Sequence, residues 1–200
     1  RKPHRHRLNP ELAQCIIAKV EAFYLEFYRR IFEDAGDLMD IYMIADDFGT
    51  QSGLLISPRM LRKFIYPSIE RFIAQGKRYG LRIMYHSCGA IRRLIPDLME
   101  MGVEILNPIQ TSAEGMVPSE LKAEFGDALT FHGGLDIQTV LSPGRPDDVR
   151  AEVRRLIADL GAGGGFILSP TNSITPETPV ENIVAMYEFP VTPMTTNGRS

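Results

Sequence analysis

The residues with the most chemistry for their spacing are His86 and Cys88, separated by Ser87. An imidazole and a thiolate two residues apart, at the end of a strand, can both reach one metal ion. Zinc suits such a mixed nitrogen and sulfur donor set. Two ligands fall short of the three protein ligands that a catalytic zinc takes, so the spacing alone leaves open a histidine and a cysteine that merely share a loop.

Other candidates lie at comparable positions. Asp46 and Asp47 are adjacent, and neighbours on a strand point to opposite faces, so one of them can face a site. There it would act as a catalytic base, hold a substrate cation or orient a metal-bound histidine. The alternative is a capping or salt-bridging acid. His132 reads as a ligand, a proton shuttle or a hydrogen-bonded structural imidazole. The neutral amides Gln51, Asn107, Gln110 and Asn172 suit the orientation of a polar substrate, and the first three equally suit the satisfaction of loop backbone. Asn172 and Ser173 stand where a further ligand would be useful, but asparagine is a poor zinc ligand. Asp136 is expected to fix the loop after Gly133-Gly134.

Each of these residues follows a short apolar run and precedes a helical pattern. Strands are predicted over residues 41–45, 81–85, 103–106, 129–131 and 165–168. The helices between them cover 57–79, 91–101, 118–125, 146–160 and 179–189, with a kink at Pro67. Ahead of the first strand, Asn9 caps a helix with Pro10 at its first position. Leu12, Ile16, Val20, Phe23 and Phe27 follow helical spacing there, and Gly36 ends it. Cys15, beside that apolar face, is expected to be a buried structural thiol. Met39, Met43, Met60, Met84, Met99 and Met101 read as core or helix-packing residues.

Strands alternating with helices predict an α/β fold with a parallel sheet. Every predicted strand ends in polar, chemically capable residues. A barrel gathers all its C-terminal strand ends at one mouth, whereas an open doubly wound sheet concentrates function at one switch point. The pattern therefore favours five βα units of a TIM (β/α)8 barrel. Five strands do not close such a barrel, so three more units are expected upstream, in a parent of about 300–350 residues. Residues 8–189 are assigned to this partial barrel. Residues 1–7 and 190–200 read as disordered or appended ends. The glycine-rich stretch at 161–165 precedes a strand instead of following one, which argues against a phosphate loop.

The bulk properties exclude some classes. With a net charge of −3 over 200 residues, the chain is not expected to bind nucleic acid or an anionic membrane. No run approaches the roughly 20 apolar residues of a membrane span. Two cysteines, Cys15 and Cys88, do not make a disulfide framework, and a reducing cytoplasm is the expected location. An exposed sheet edge would favour a homo-oligomer.

Five segments together carry a family resemblance. They are Asp46-Asp47-Phe48-Gly49-Thr50-Gln51, Tyr85-His86-Ser87-Cys88-Gly89, Asn107-Pro108-Ile109-Gln110, Phe131-His132-Gly133-Gly134-Leu135-Asp136 and Gly164-Gly165-Phe166-Ile167-Leu168-Ser169-Pro170. With Pro179, Glu181, Asn182 and Ile183, this pattern resembles the C-terminal part of the uroporphyrinogen decarboxylase superfamily. The resemblance implies one of two chemistries. Decarboxylases of the superfamily bind a tetrapyrrole in the barrel mouth without metal, through residues that lie largely in the N-terminal units. The cobalamin-related branch uses zinc to activate a thiol for attack on a corrinoid-bound methyl group. Its motif is His-x-Cys after one strand and a further Cys after the last.

His86 and Cys88 match that motif, and Asn172 stands where the last Cys falls. The resemblance then leaves His132 or an acid such as Asp46 to complete the shell. It implies a zinc-assisted methyltransferase acting on a small-molecule thiol, with a corrinoid as methyl donor and a corrinoid protein as partner. The alternatives are a tetrapyrrole decarboxylase, for which the rim lacks basic residues, and a non-catalytic barrel that binds a small ligand.

Overall fold

Five short strands pair side by side, all parallel, in the order in which the chain makes them. They are β1 (Ile41–Ala45), β2 (Arg82–His86), β3 (Ile105–Ile109), β4 (Thr130–Leu135) and β5 (Phe166–Pro170). A doubly wound sheet reverses its strand order at the switch point. This sheet never reverses, which is the strand order of consecutive βα units in a barrel. The structure is a computed structural model that describes residues 9–188. The assignments made for residues 1–7 and 190–200 lie outside them.

The helices follow the predicted signals closely. α1 (Pro10–Ala35) starts where Asn9 Oδ1 accepts the Leu12 N–H at 3.1 Å. The next helical segment is split into α2 (Pro58–Phe64) and α3 (Tyr66–Arg78). The break falls at Ile65 because Pro67 has no N–H with which to continue the ladder. α4 (Ile95–Met101) stops at Gly102, whose φ of 103° suits glycine. α5 (Pro118–Phe125) and α6 (Pro146–Leu160) occupy their predicted spans, and α7 is Val180–Tyr187.

Two departures from the sequence pattern matter for the site. The strands extend past their apolar runs, so that His86, Asn107 and His132 are ladder residues and not loop residues. A π-helical turn, Ile137–Leu141, also follows β4. Buried Asp136 caps it, accepting the N–H groups of Gln138 and Thr139 at 2.8 and 2.9 Å. The turn holds α7 in place, because the buried Asn182 amide donates to the carbonyls of Leu141 and Gly144 at 2.9 and 2.7 Å.

The core lies between the sheet and the helices. Ile83, Tyr85, Leu106 and Phe131 are fully buried there. Tyr42 takes the same side of β1, against the rings of Tyr28 and Phe32 at 4.9 and 5.0 Å. The opposite face of β1 is open, and Met43 is exposed instead of packed in a core. Cys15 is also exposed, not buried as expected. The stripe of Leu12, Ile16, Val20, Phe23 and Phe27 beside it is open, because no described element lies over that face of α1. Among the described residues, no helix is long and apolar enough to cross a membrane.

Phe131 sits on β4 at zero exposure. Replacing it with alanine is expected to cost about 3–5 kcal/mol, read as a lower urea midpoint with an unchanged denaturant slope.

Candidate metal centre

The site begins with register. β1 to β2 pairing sets Ala45 beside His86, and β2 to β3 pairing sets His86 beside Asn107. Leu106 pairs with Phe131, the register then shifts before Ile109 meets Gly133, and the Asn107 amide touches His132 within that irregular stretch; His132 in turn pairs with Ile167. Ala45, His86, Asn107, His132 and Ile167 thus form one lateral row across the sheet. Alternation sends this row to the face away from the helices, because the preceding residues Ile44, Tyr85, Leu106 and Phe131 all pack into the core.

Above the row, two loops cross at close quarters. A Cβ on Gly49 would lie 2.4 Å from the Cys88 carbonyl, and one on Gly89 would lie 2.5 Å from the Gly49 carbonyl carbon. Gly89 also has a φ of 86°, a conformation that L side chains resist. Ala90 N–H donates to the Thr50 carbonyl at 2.8 Å, and Phe48 N–H donates to the hydroxyl of fully buried Ser87 at 3.1 Å. This crossing presses the loop after β1 onto the loop after β2.

The crossing brings Asp47 to the pair. Asp47 Oδ1 accepts the Cys88 N–H at 2.9 Å and lies 3.7 Å from His86 Nε2. Cys88 Sγ lies 3.6 Å from the same Nε2. One donor atom from each of Asp47, His86 and Cys88 falls within 4.8 Å of the others. Burial, reinforced by the charge of Asp47 and a hydrogen bond to it, raises the Cys88 thiol above its ordinary pKa.

Asp46 takes the other side of the alternation. As a residue it stays exposed at the edge of the sheet, yet its carboxyl is crowded enough that desolvation raises its pKa. The charge of Asp47 adds to this rise and Tyr85 opposes it. The Tyr85 hydroxyl is close enough to be felt there without meeting the geometry of a hydrogen bond.

His132 lies beyond Asn107, and the two rings are joined through that amide. His86 Nδ1 is 2.5 Å from Asn107 Oδ1, and Asn107 Nδ2 is 2.5 Å from His132 Nδ1. Desolvation, with the nearby His86 second, lowers the His132 pKa. Gln110 Oε1 accepts the Gly89 N–H at 2.8 Å and so braces the crossing. Gln51 is exposed, and its carbonyl accepts the Glu114 N–H at 2.8 Å. Asn172 is also exposed and turned into its own loop, where Oδ1 accepts the Ser173 N–H at 2.7 Å.

The structure therefore gathers Asp47, His86 and Cys88, joins Asn107 and His132 to them through His86, and leaves Asp46, Gln51 and Asn172 outside. In the sequence Gly49, Ser87 and Gly89 stand out only as parts of a pattern. Their role was partly visible, since a glycine beside each chemical run signals a close backbone approach.

The family model for uroporphyrinogen decarboxylase (URO-D) matches residues 6–190. The chain belongs to the uroporphyrinogen decarboxylase family. Its relatives divide between two names. The methylcobamide:CoM methyltransferase MtaA of Methanosarcina barkeri is 29% identical over 150 residues, covering 74% of this chain and 40% of that protein. The uroporphyrinogen decarboxylase of Thermus thermophilus is 27% identical over 184 residues, covering 92% of this chain and 47% of that protein. Among solved structures, a methyltransferase from Methanosarcina mazei superposes with a TM-score of 0.59 at 25% identity, covering 74% of this chain and 40% of its own. The chain thus spans less than half the length of each of these relatives.

Two outcomes test this geometry. Gly89→Ala is expected to lose about 1–3 kcal/mol for its backbone conformation alone and more for the loop contact. Gly163→Ala, with a φ of 74° and open space around it, should show only the first cost, and equal urea midpoints for the two variants would refute the crossing. In a metal-free Cys15→Ser background, Asp47→Asn should bring the Cys88 pKa down toward its ordinary value. More thiolate is then present at pH 8, and iodoacetamide should alkylate Cys88 severalfold faster. An unchanged rate would show that Asp47 does not act on the thiol.

Proposed function

We propose that this chain carries the metal-binding part of a zinc-assisted methyltransferase site, in which a methyl group passes from a corrinoid or another methylated donor to a thiol. The observation that carries the reading is the spacing of the donor set. Nitrogen and sulfur ligands at about 2.0–2.1 and 2.3 Å from a tetrahedral zinc stand about 3.5–3.6 Å apart. His86 Nε2 and Cys88 Sγ are 3.6 Å apart. Asp47 lies beside both, and zinc accepts a carboxylate oxygen alongside nitrogen and sulfur.

His86, Cys88 and Asp47 would hold the ion. Bound zinc would supply a Lewis acid that keeps a substrate thiol ionised at neutral pH. Asp47 also holds the Cys88 backbone by the bond to its N–H, so the acid fixes the thiol as well as adding a donor. Asn172, folded back on Ser173, is not asked to replace the thiol that the resemblance places there, because an acid from another loop fills the role. Among the described residues, the side chains paired with the trio are its own members and Asn107, not lysines or arginines, which disfavours a substrate carrying many carboxylates. The methyltransferase name of one relative set, and that of the structural neighbour, point the same way. A methylated cobamide is the donor that the relative's name indicates, and a corrinoid protein would be the partner that presents it.

Metal analysis of the full chain tests the proposal. One zinc per chain is expected, lost in Cys88→Ser, weakened more than about tenfold in Asp47→Ala and unaffected in Cys15→Ser. A zinc-free chain that binds a porphyrinogen would overturn the proposal in favour of decarboxylation. A chain that takes neither would leave a barrel that binds some other small ligand.

A further inference from the structure

The amide of Asn107 stands between two imidazoles and has unlike ends. Its oxygen only accepts hydrogen bonds and its nitrogen only donates them. The oxygen faces His86 Nδ1 and the nitrogen faces His132 Nδ1, each at 2.5 Å. His86 and Asn107 are register partners on adjacent strands, and His132 lies on the next strand across a local register shift, so all three side chains stand on strands and not on a loop. An accepting oxygen requires a proton on His86 Nδ1. A donating nitrogen requires a lone pair on His132 Nδ1.

We infer that Asn107 is a positioning residue that locks the two rings in opposite tautomers, His86 with its proton on Nδ1 and His132 with its proton on Nε2. This rests on the zinc reading only for what the bare His86 nitrogen is free to bind. With Nδ1 protonated, His86 Nε2 carries a lone pair toward Cys88 Sγ at 3.6 Å, and a protonated thiol can point its hydrogen there. Asp47 Oδ1, at 3.7 Å from Nε2, is beyond hydrogen-bond reach and does not claim that nitrogen as a donor. If the amide were reversed, both tautomers would invert, and His86 would present an N–H to the trio, which cannot ligate a metal. The orientation of one amide thus decides whether His86 is a ligand. On the far side, His132 offers a fixed N–H to an acceptor atom on a substrate.

The test is a long-range proton–nitrogen correlation spectrum of the metal-free full chain labelled with nitrogen-15 histidine, which separates protonated from bare ring nitrogens. Signals are assigned by substituting His4, His6 and His132 in turn. The expected spectrum shows His86 protonated at Nδ1 and bare at Nε2, and His132 the reverse. Asn107→Asp presents acceptors to both rings, so it should leave His86 unchanged and move the His132 proton to Nδ1. Asn107→Leu should release both rings to mixtures and weaken zinc binding by about 10–100-fold in competition with a chelator.

A proton on His86 Nε2 in the unmodified chain would overturn the inference, as would an Asn107→Asp spectrum with His132 unchanged. A residue that merely fills space would not move one ring and spare the other. If Asn107→Leu does not fold, the unmodified chain and the aspartate variant still decide. The expected tautomers in a chain that takes no zinc would sink the zinc reading and uphold this one.

Discussion

The candidate site hangs first on the parallel register of β1, β2 and β3, with β4 joined through Leu106 and Phe131 just before a local shift. In a parallel ladder each residue has a fixed lateral neighbour on the next strand, and its side chain stands on the same face. One residue of slip in β3 would turn Asn107 into the helix layer and bring Leu106 to the mouth. The His86–Asn107–His132 row would then vanish, although every residue would still be present. The core guards against that slip. Tyr85, Leu106 and Phe131 form the adjacent row on the opposite face, all fully buried, so a shift that moved the polar row would also expose the largest apolar side chains. Hydrophobic burial on one side of the sheet therefore specifies polar geometry on the other.

The second constraint is steric. Register alone leaves Cys88 and Asp47 on separate loops beyond the last ladder residues. The crossing at Gly49 and Gly89 has no room for a Cβ on either chain, and this permits the Asp47 carboxylate to reach the Cys88 N–H. The sheet positions the imidazole, and the glycine crossing positions the thiol and the acid. The braces on the crossing are polar groups at the loop bases, the buried Ser87 hydroxyl and the half-buried Gln110 amide. Both accept backbone N–H groups that would otherwise lose water without a partner.

Much of this was legible in the sequence, because fold class follows from periodicity and punctuation. α5 and α6 occupy the predicted residues since proline opens each and glycine closes each. The predicted strands are too short, because the apolar pattern stops just before the polar residues His86, Asn107 and His132, while the ladder includes them and runs on to Ile109 and Leu135 in β3 and β4. A polar residue inside a strand looks like a loop residue until its lateral partner is known. The same blindness left Asp46 and Asp47 undivided. Alternation requires that they part, but the phase of the strand decides which one faces the mouth, and that phase shows only in the burial of Tyr42 and Ile44. Cys15 went astray for a different reason. The apolar spacing of α1 reveals a face made for packing, and nothing in that spacing tells whether the described chain supplies the cover.

On the proposed reading, charge explains why an acid from another loop can take the role that the second cysteine has in the methyltransferase motif. A cysteine thiolate and an aspartate carboxylate together carry the same two negative charges as a pair of thiolates. Either set balances a divalent ion, with the imidazole neutral. The cost is visible in the metal-free chain. Burial first, and then the neighbouring Asp47, hold the Cys88 thiol protonated beyond its ordinary range, because two anions side by side in a half-buried loop repel. A cation between them converts that repulsion into attraction, so metal binding and thiol ionisation are one linked event. An imidazole held with its lone pair toward the same point by Asn107 costs nothing further to deprotonate. The trio is therefore poorly suited to being a nucleophile by itself, since burial and Asp47 raise its thiol pKa, and well suited to closing on an ion that supplies positive charge.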